Sequence, residues 1–125
     1  MPMDIDTNFR RIMWYIFAGM RGGPTRILLV ELVLSRPSNM NQISKELGMD
    51  YKTIQHHIKV LSENRIIVSE EKKYGTMFFP SALLEKNKDA FGEIKEKLKK
   101  DEEKKAARKK MFERLDAESK QQNQQ

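Results

Sequence analysis

Apolar residues recur at helical spacing through the first half of the chain. Phe9, Ile12, Met13, Ile16, Phe17 and Met20 fall three or four residues apart behind the cap candidates Thr7 and Asn8, which predicts a first helix with Trp14 and Tyr15 spilling onto a second face. A helix apolar on two sides needs two partners: its own domain and a second subunit, or two walls of one core. Arg21-Gly22-Gly23 breaks this helix, and Pro24 suits the first turn of the next, where its missing amide costs nothing. The nearly unbroken apolar run Ile27 to Leu34 places that second helix in the middle of the fold, and Arg36-Pro37-Ser38 ends it.

From Asn39 to Leu61 the pattern predicts two short helices joined by a tight turn. Asn39 and Gln42 form a capping pair, Met40, Ile43 and Leu47 share a face, and Gly48 marks a stop in the left-handed conformation that glycine adopts cheaply. Asp50 can cap the second helix, where Ile54, Ile58 and Leu61 make a core-facing stripe. The period then changes. Ile66-Ile67-Val68 favours a strand, Gly75 supplies a turn, and Met77-Phe78-Phe79 reads as a returning strand stopped by Pro80. A helix pair followed by a hairpin is the layout of a winged helix-turn-helix, so the expected fold is mostly α with a small β-hairpin wing. Ser81 can cap a short turn through Leu84, and a long, highly charged helix begins at Lys88. Its apolar seam at Phe91, Ile94 and Leu98 is interrupted by Asp101, Lys105 and Arg108 before Phe112 and Leu115. Pairs such as Glu93 with Lys97, each worth about 0.2–0.5 kcal/mol, can prolong it in water without a partner. The expected organisation is a domain over residues 1–87, a charged helix over 88–118 and a disordered tail over 119–125.

The polar face of the second short helix carries the candidate chemistry. At about 100° per residue Lys52, Gln55, His56 and Lys59 point away from the apolar stripe, with Thr53 on its flank. An apolar back with a basic, hydrogen-bonding front suits a DNA major groove, although any helix hairpin in a small domain has one polar face. At the hairpin tip Lys72, Lys73 and Tyr74 suit phosphate or minor-groove contact, while Glu70 and Glu71 before them leave open a merely solvated hairpin. Lysine and arginine outnumber aspartate and glutamate by 24 to 18, and the net charge of +6 is compatible with a polyanionic partner. The basic run from Lys99 to Lys110 reads either as a solvated helix or as a track for phosphates.

Composition removes other classes. There is no cysteine, which excludes disulfides, zinc fingers and thiolate chemistry and permits a cytoplasmic setting. The apolar run Ile12 to Met20 is far short of the ~20 residues that span a bilayer. Adjacent His56 and His57 diverge by about 100° on one helix and cannot chelate one ion together. His57 lies beside the apolar stripe as a packed, hydrogen-bonded residue, whereas His56 faces outward. No glycine loop for phosphates and no nucleophile motif is present, so neither catalysis, metal nor cofactor is expected.

The run Thr53 to Leu61, T-I-Q-H-H-I-K-V-L, followed by a strand and Tyr74-Gly75-Thr76-Met77-Phe78-Phe79-Pro80, resembles the ArsR-like winged-helix transcription regulators, particularly archaeal ones, over roughly Gly22 to Ser81. The resemblance implies a dimeric regulator of double-stranded DNA whose recognition positions match Lys52, Thr53, Gln55, His56 and Lys59. It also implies a dimer built by the terminal helices, here Phe9, Ile12, Met13 and Ile16 with Phe91, Ile94 and Leu98. Metal-sensing members carry cysteines in the first helix of the helix-turn-helix, where this chain has Met40-Asn41-Gln42-Ile43-Ser44, so thiolate-based sensing is unsupported. The competing expectation is a winged helix used to dock proteins or coat DNA, with the charged helix as its attachment arm.

Overall fold

In the computed structural model, which describes residues 4–123, the first helix α1 (Ile5–Trp14) starts at Asp4 rather than at Thr7 or Asn8. The Asp4 carboxylate accepts the Thr7 amide at 2.8 Å and the Thr7 hydroxyl at 2.9 Å, closing the first turn ahead of the apolar pattern. The helix does not run regularly to Met20. After Trp14 it widens into a π-helical turn, Tyr15–Gly19, which carries one extra residue per turn and so rotates the backbone relative to α1.

Helix α2 (Gly23–Ser35) enters from Gly22 at φ 92°, with Pro24 in its first turn. Gly23 is required by close approach: a Cβ there would lie 1.9 Å from the Phe17 carbonyl oxygen. Then come α3 (Met40–Leu47), α4 (Tyr51–Glu63), α5 (Ala82–Lys86) and α6 (Lys88–Asn123). A sheet of β1 (Ser38–Asn39), β2 (Ile67–Lys72) and β3 (Gly75–Pro80) has the antiparallel order β1-β3-β2. The hairpin is the expected one, closing at Lys72 opposite Gly75. The third strand was not expected: Ser38 pairs with Phe78 and Asn39 with Met77. Such a short strand has no pattern of its own and exists because β3 offers it an edge. The fold is the α+β winged helix-turn-helix, with a long helix at its C-terminal end.

The chain divides into two units, one up to Ile94 and one from Lys95. The boundary lies past residue 87 because Ala90, Phe91 and Ile94 are buried in the first unit. There Phe17 meets Phe91 edge-to-face at 5.3 Å, an arrangement worth about 0.5–1.5 kcal/mol beyond the area it buries. The rest of this core comes from Phe9, Met13, Ile43, Ile54, Leu61, Ile66 and Leu84, with Leu29, Val30 and Val33 of α2. Buried Asn87 ties the terminal elements together: its amide donates to Asp6 at 3.1 Å and to the Leu83 carbonyl at 2.9 Å, and its oxygen accepts from Arg10 at 2.8 Å. In the second unit nearly every described side chain of α6 is exposed. Lys97 pairs there with Asp101 at 2.9 Å rather than with Glu93. Residues 119–123, expected in a disordered tail, are helical, and Gln124 and Gln125 lie outside the described residues.

Two glycines separate close packing from mere conformational freedom. Gly23→Ala is expected to cost about 1–3 kcal/mol, because the clash is with backbone that cannot move aside. Gly92 sits in α6 with no atom within 4 Å of a built Cβ, so Gly92→Ala is expected to gain about 0.5–1 kcal/mol. Thermal unfolding followed by circular dichroism checks both, and equal midpoints for the two variants would contradict the packing described.

Candidate nucleic-acid interface

Helices α3 and α4 are set by local capping before any long-range contact. Asn39 accepts the Gln42 amide at 2.9 Å, and the Gln42 side chain accepts the Asn39 amide at 2.8 Å. Gly48 ends α3 at φ 62° and Asp50 caps α4. The Asp50 carboxylate is held below the usual carboxylate range, chiefly by the hydroxyl hydrogen bond from Thr53. This stop and restart turns α4 so that Ile54, His57, Ile58 and Leu61 go inward.

The opposite side of α4 is free. Lys52, Gln55, His56 and Lys59 are exposed. Lys52, Gln55 and Lys59 make no side-chain hydrogen bond or ion pair among the described residues. Thr53 differs: half-buried on the flank, it spends its hydroxyl proton on Asp50. In the wing, Lys72 is paired with Glu70 at 2.8 Å, so its charge is partly neutralised. Lys73 lies 5.8 Å from the Tyr74 ring centroid, and Tyr74, at 88 % exposure, stands clear at the tip. Between the start of α4 and this tip runs a groove of about 310 Å³ lined by Asn41, Tyr51, Thr76 and Tyr74 among others. The sequence pattern alone did not single out Asn41, Tyr51 or Thr76. An exposed tyrosine directly after the Asp50 cap was the available signal.

Behind α4 lies a buried cation. Arg26 of α2 is 0 % exposed. It donates from Nε to the Ile16 carbonyl at 3.1 Å and from Nη2 to the Arg21 carbonyl at 2.7 Å, and its Nη1 lies 3.2 Å from His57 Nδ1. Guanidinium nitrogens only donate, so Nδ1 accepts and the buried imidazole is neutral, with its proton on Nε2. Burial, the Arg26 charge and neighbouring His56, in that order, hold His57 below its ordinary value of 6.5. His57 is thus the packed, hydrogen-bonded residue expected.

The proposed subunit-interface residues need correction. Phe9, Met13, Ile16, Phe91 and Ile94 are each 5 % exposed or less within the chain's own first unit. They pack inside that unit because α1, the π-helical turn and the start of α6 share one core. Of the seven residues, only Ile12 and Leu98 keep accessible surface. What α1 and its continuation turn outward instead is Ile5, Trp14 and Tyr15, the last two at 40 % and 61 % exposure. Among the described residues no cluster of histidine, cysteine, aspartate or glutamate could hold a metal ion, and no helix is long and apolar enough to cross a membrane.

Residues 23–69 match the family model described as "Bacterial regulatory protein, arsR family". No curated protein matches the chain closely enough to count as a relative. Among solved structures the fold is similar to HlyU from Vibrio cholerae N16961, with a TM-score of 0.57 and 11% identity over 74% of this chain and 91% of that one. It is also similar to Mb0332 from Mycobacterium bovis, described as a homodimeric winged helix-turn-helix DNA-binding domain and a possible ArsR-family transcriptional regulator. That likeness has a TM-score of 0.56 and 12% identity over 76% of this chain and 85% of that one. AbfR of Staphylococcus epidermidis has a TM-score of 0.55 and 15% identity over 86% of this chain and 79% of that one.

The His57 arrangement predicts a pH-dependent stability. Its pKa is lower folded than unfolded, so the unfolded chain binds more protons. Stability is therefore full above the ordinary histidine value of 6.5 and falls as pH drops below it, at a slope of up to about 1.4 kcal/mol per pH. The lowered carboxylates Asp4, Asp6 and Asp50 act lower, with stability lost only as pH falls below their ordinary 3.8. Urea unfolding between pH 5 and 7.5 is expected to show the slope in the parent and a weaker one in His57→Asn, which keeps an acceptor but does not titrate. Equal slopes would contradict the assignment.

Proposed function

Starting from an ArsR-like winged helix-turn-helix, we propose that this protein is a sequence-specific transcription regulator that binds double-stranded DNA as a homodimer. One observation carries the reading: α4 buries Ile54, Ile58 and Leu61 while holding Lys52, Gln55, His56 and Lys59 outward. A helix so divided enters a major groove with its polar side foremost, where amide and imidazole groups meet base edges and ammonium groups meet phosphates. In this reading Gln55 and His56 face bases, and Lys52 and Lys59 flank them on the backbone. Thr53 lies at the margin as a methyl contact. The groove lined by Asn41, Tyr51 and Thr76 follows the adjacent phosphates, with Lys73 and Tyr74 of the wing on its far side and Lys72 in a lesser role.

The dimer is proposed through the exposed surface of α1 and its continuation, where Trp14 and Tyr15 stand out beside Ile12. Large exposed rings on a small domain are typical anchors of protein contacts. Two copies joined there would read half-sites about 34 Å apart on one side of the duplex. A second reading, a protein-docking module, is favoured by Met111, Phe112 and Leu115, which lie exposed on the charged helix. It predicts a monomer with sequence-indifferent DNA binding.

Affinity measured against salt and sequence tests the assignment. Gln55→Ala and His56→Ala are each expected to cost about 1–3 kcal/mol at the preferred base and to relax preference there. Lys59→Ala and Lys73→Ala are expected to weaken all sequences alike and to reduce the salt slope by about 1 each. Trp14→Glu is expected to convert dimer to monomer in solution. Variants that bind like the parent would show that this face of α4 does not meet DNA.

A further inference from the structure

The Arg26 guanidinium is buried, and among the described residues no carboxylate pairs with it. Its charge is met by two carbonyl oxygens and one imidazole nitrogen. The carbonyls belong to the π-helical turn and to the loop before α2, and the imidazole to α4, so one side chain holds α4 to the end of the first helix. We propose that Arg26 is a positioning residue for DNA recognition, acting through His57 to fix the angle of α4, and that a proton on His57 releases this hold. The inference rests on the DNA-binding reading of α4.

The geometry leaves the imidazole no way to accept a second proton in place. A proton added to Nδ1 would point at a guanidinium nitrogen 3.2 Å away, replacing an attraction by the repulsion of two cations in a buried site. The ring is also hemmed in from behind. A Cβ built on Gly22 would lie 2.9 Å from His57 Cε1 and 3.1 Å from Arg26 Nη1, so only the absence of a side chain there lets the loop close over the pair. The charged and titratable groups acting on His57 are Arg26 from α2 and His56 from its own helix, and no acidic group is among them. From the preceding loop Arg21 contributes its carbonyl while its side chain is exposed. With no carboxylate to absorb the new charge, the protonated ring must move away from Arg26. With Gly22 closed against one side of the ring, the proposed movement carries the first half of α4, on which Lys52, Gln55 and His56 stand.

The test compares the full chain with its His57→Asn variant on one fluorescent duplex at constant ionic strength between pH 5.5 and 7.5. Ring and α4 amide shifts are followed by nuclear magnetic resonance over the same range. Asparagine offers Arg26 an acceptor where Nδ1 stood but does not titrate, and every other side chain is common to the two chains. The parent is expected to lose affinity as pH falls, approaching about tenfold per pH unit for one linked proton, with α4 amides shifting as His57 titrates. The ratio of Kd at the two ends of the range is expected to be smaller in His57→Asn, whatever its affinity at pH 7.5. Arg26→Lys, whose three donors sit on one nitrogen and cannot span the acceptors that Nε, Nη1 and Nη2 reach, is expected to weaken the duplex complex with an unchanged salt slope, since a buried residue touches no phosphate. Parallel pH profiles for the two chains, or α4 amides that stay fixed while His57 titrates, would overturn the proposal. A chain that binds the duplex at no pH would overturn the DNA reading itself, and the ring and amide shifts would still decide whether the pair holds α4.

Discussion

A guanidinium taken out of water loses several kcal/mol of hydration that only well-placed acceptors replace. For Arg26 those acceptors come from different parts of the chain: Ile16 in the π-helical turn, Arg21 in the loop and His57 on α4. None of these sites satisfies the charge alone, so one side chain joins the end of the first helix, the central helix and the outward-facing helix. The glycines at 22 and 23 belong to the same requirement, because the loop must pass against the His57 ring and the Phe17 carbonyl at distances that exclude a side chain. Hydrophobic burial supplies most of the driving force, but it is non-directional. The Arg26 bonds add direction to it, and they meet α4 on the side opposite its free polar face.

Both proposed surfaces follow from how two-sided elements divide between core and solvent. Helix α4 commits one stripe inward and leaves amide, imidazole and ammonium groups outside, which is what a reader of base edges needs. The first helix divides less evenly: Phe9, Met13, Ile16 and Phe17 go into the chain's own core, and Trp14 and Tyr15 remain outside. Its extra apolar face is therefore aromatic and lies at the junction with the π-helical turn, next to the carbonyl that Arg26 holds.

Local chemistry was legible in the sequence wherever a few residues decide the geometry. The Asn39–Gln42 capping box, the left-handed Gly48, the Asp50 cap, the Ser81 cap and the hairpin closing at Gly75 all stand where the residues pointed, and so does the outward set on α4. Features made by distant parts of the chain were not legible. Strand β1 needs the edge of β3, and the π-helical turn has no periodicity to announce it. Burial of Phe91 and Ile94 depends on where α6 docks, so a stripe read as subunit interface proved to be core. Arg26 was not legible because a single charge at the edge of an apolar run reads as a flank, and its partners lie five and ten residues back and thirty-one ahead in the chain.

Selecting bound sequences from a random pool of duplexes at near-physiological salt, with the mass of the protein in solution determined on the same sample, tests the central claim most directly. A two-fold-symmetric motif with half-sites about one helical turn apart, bound by a particle of twice the chain mass, is the predicted result. Uniform recovery of all sequences by a monomer would contradict it and would move the explanation of this surface from reading DNA to holding another protein.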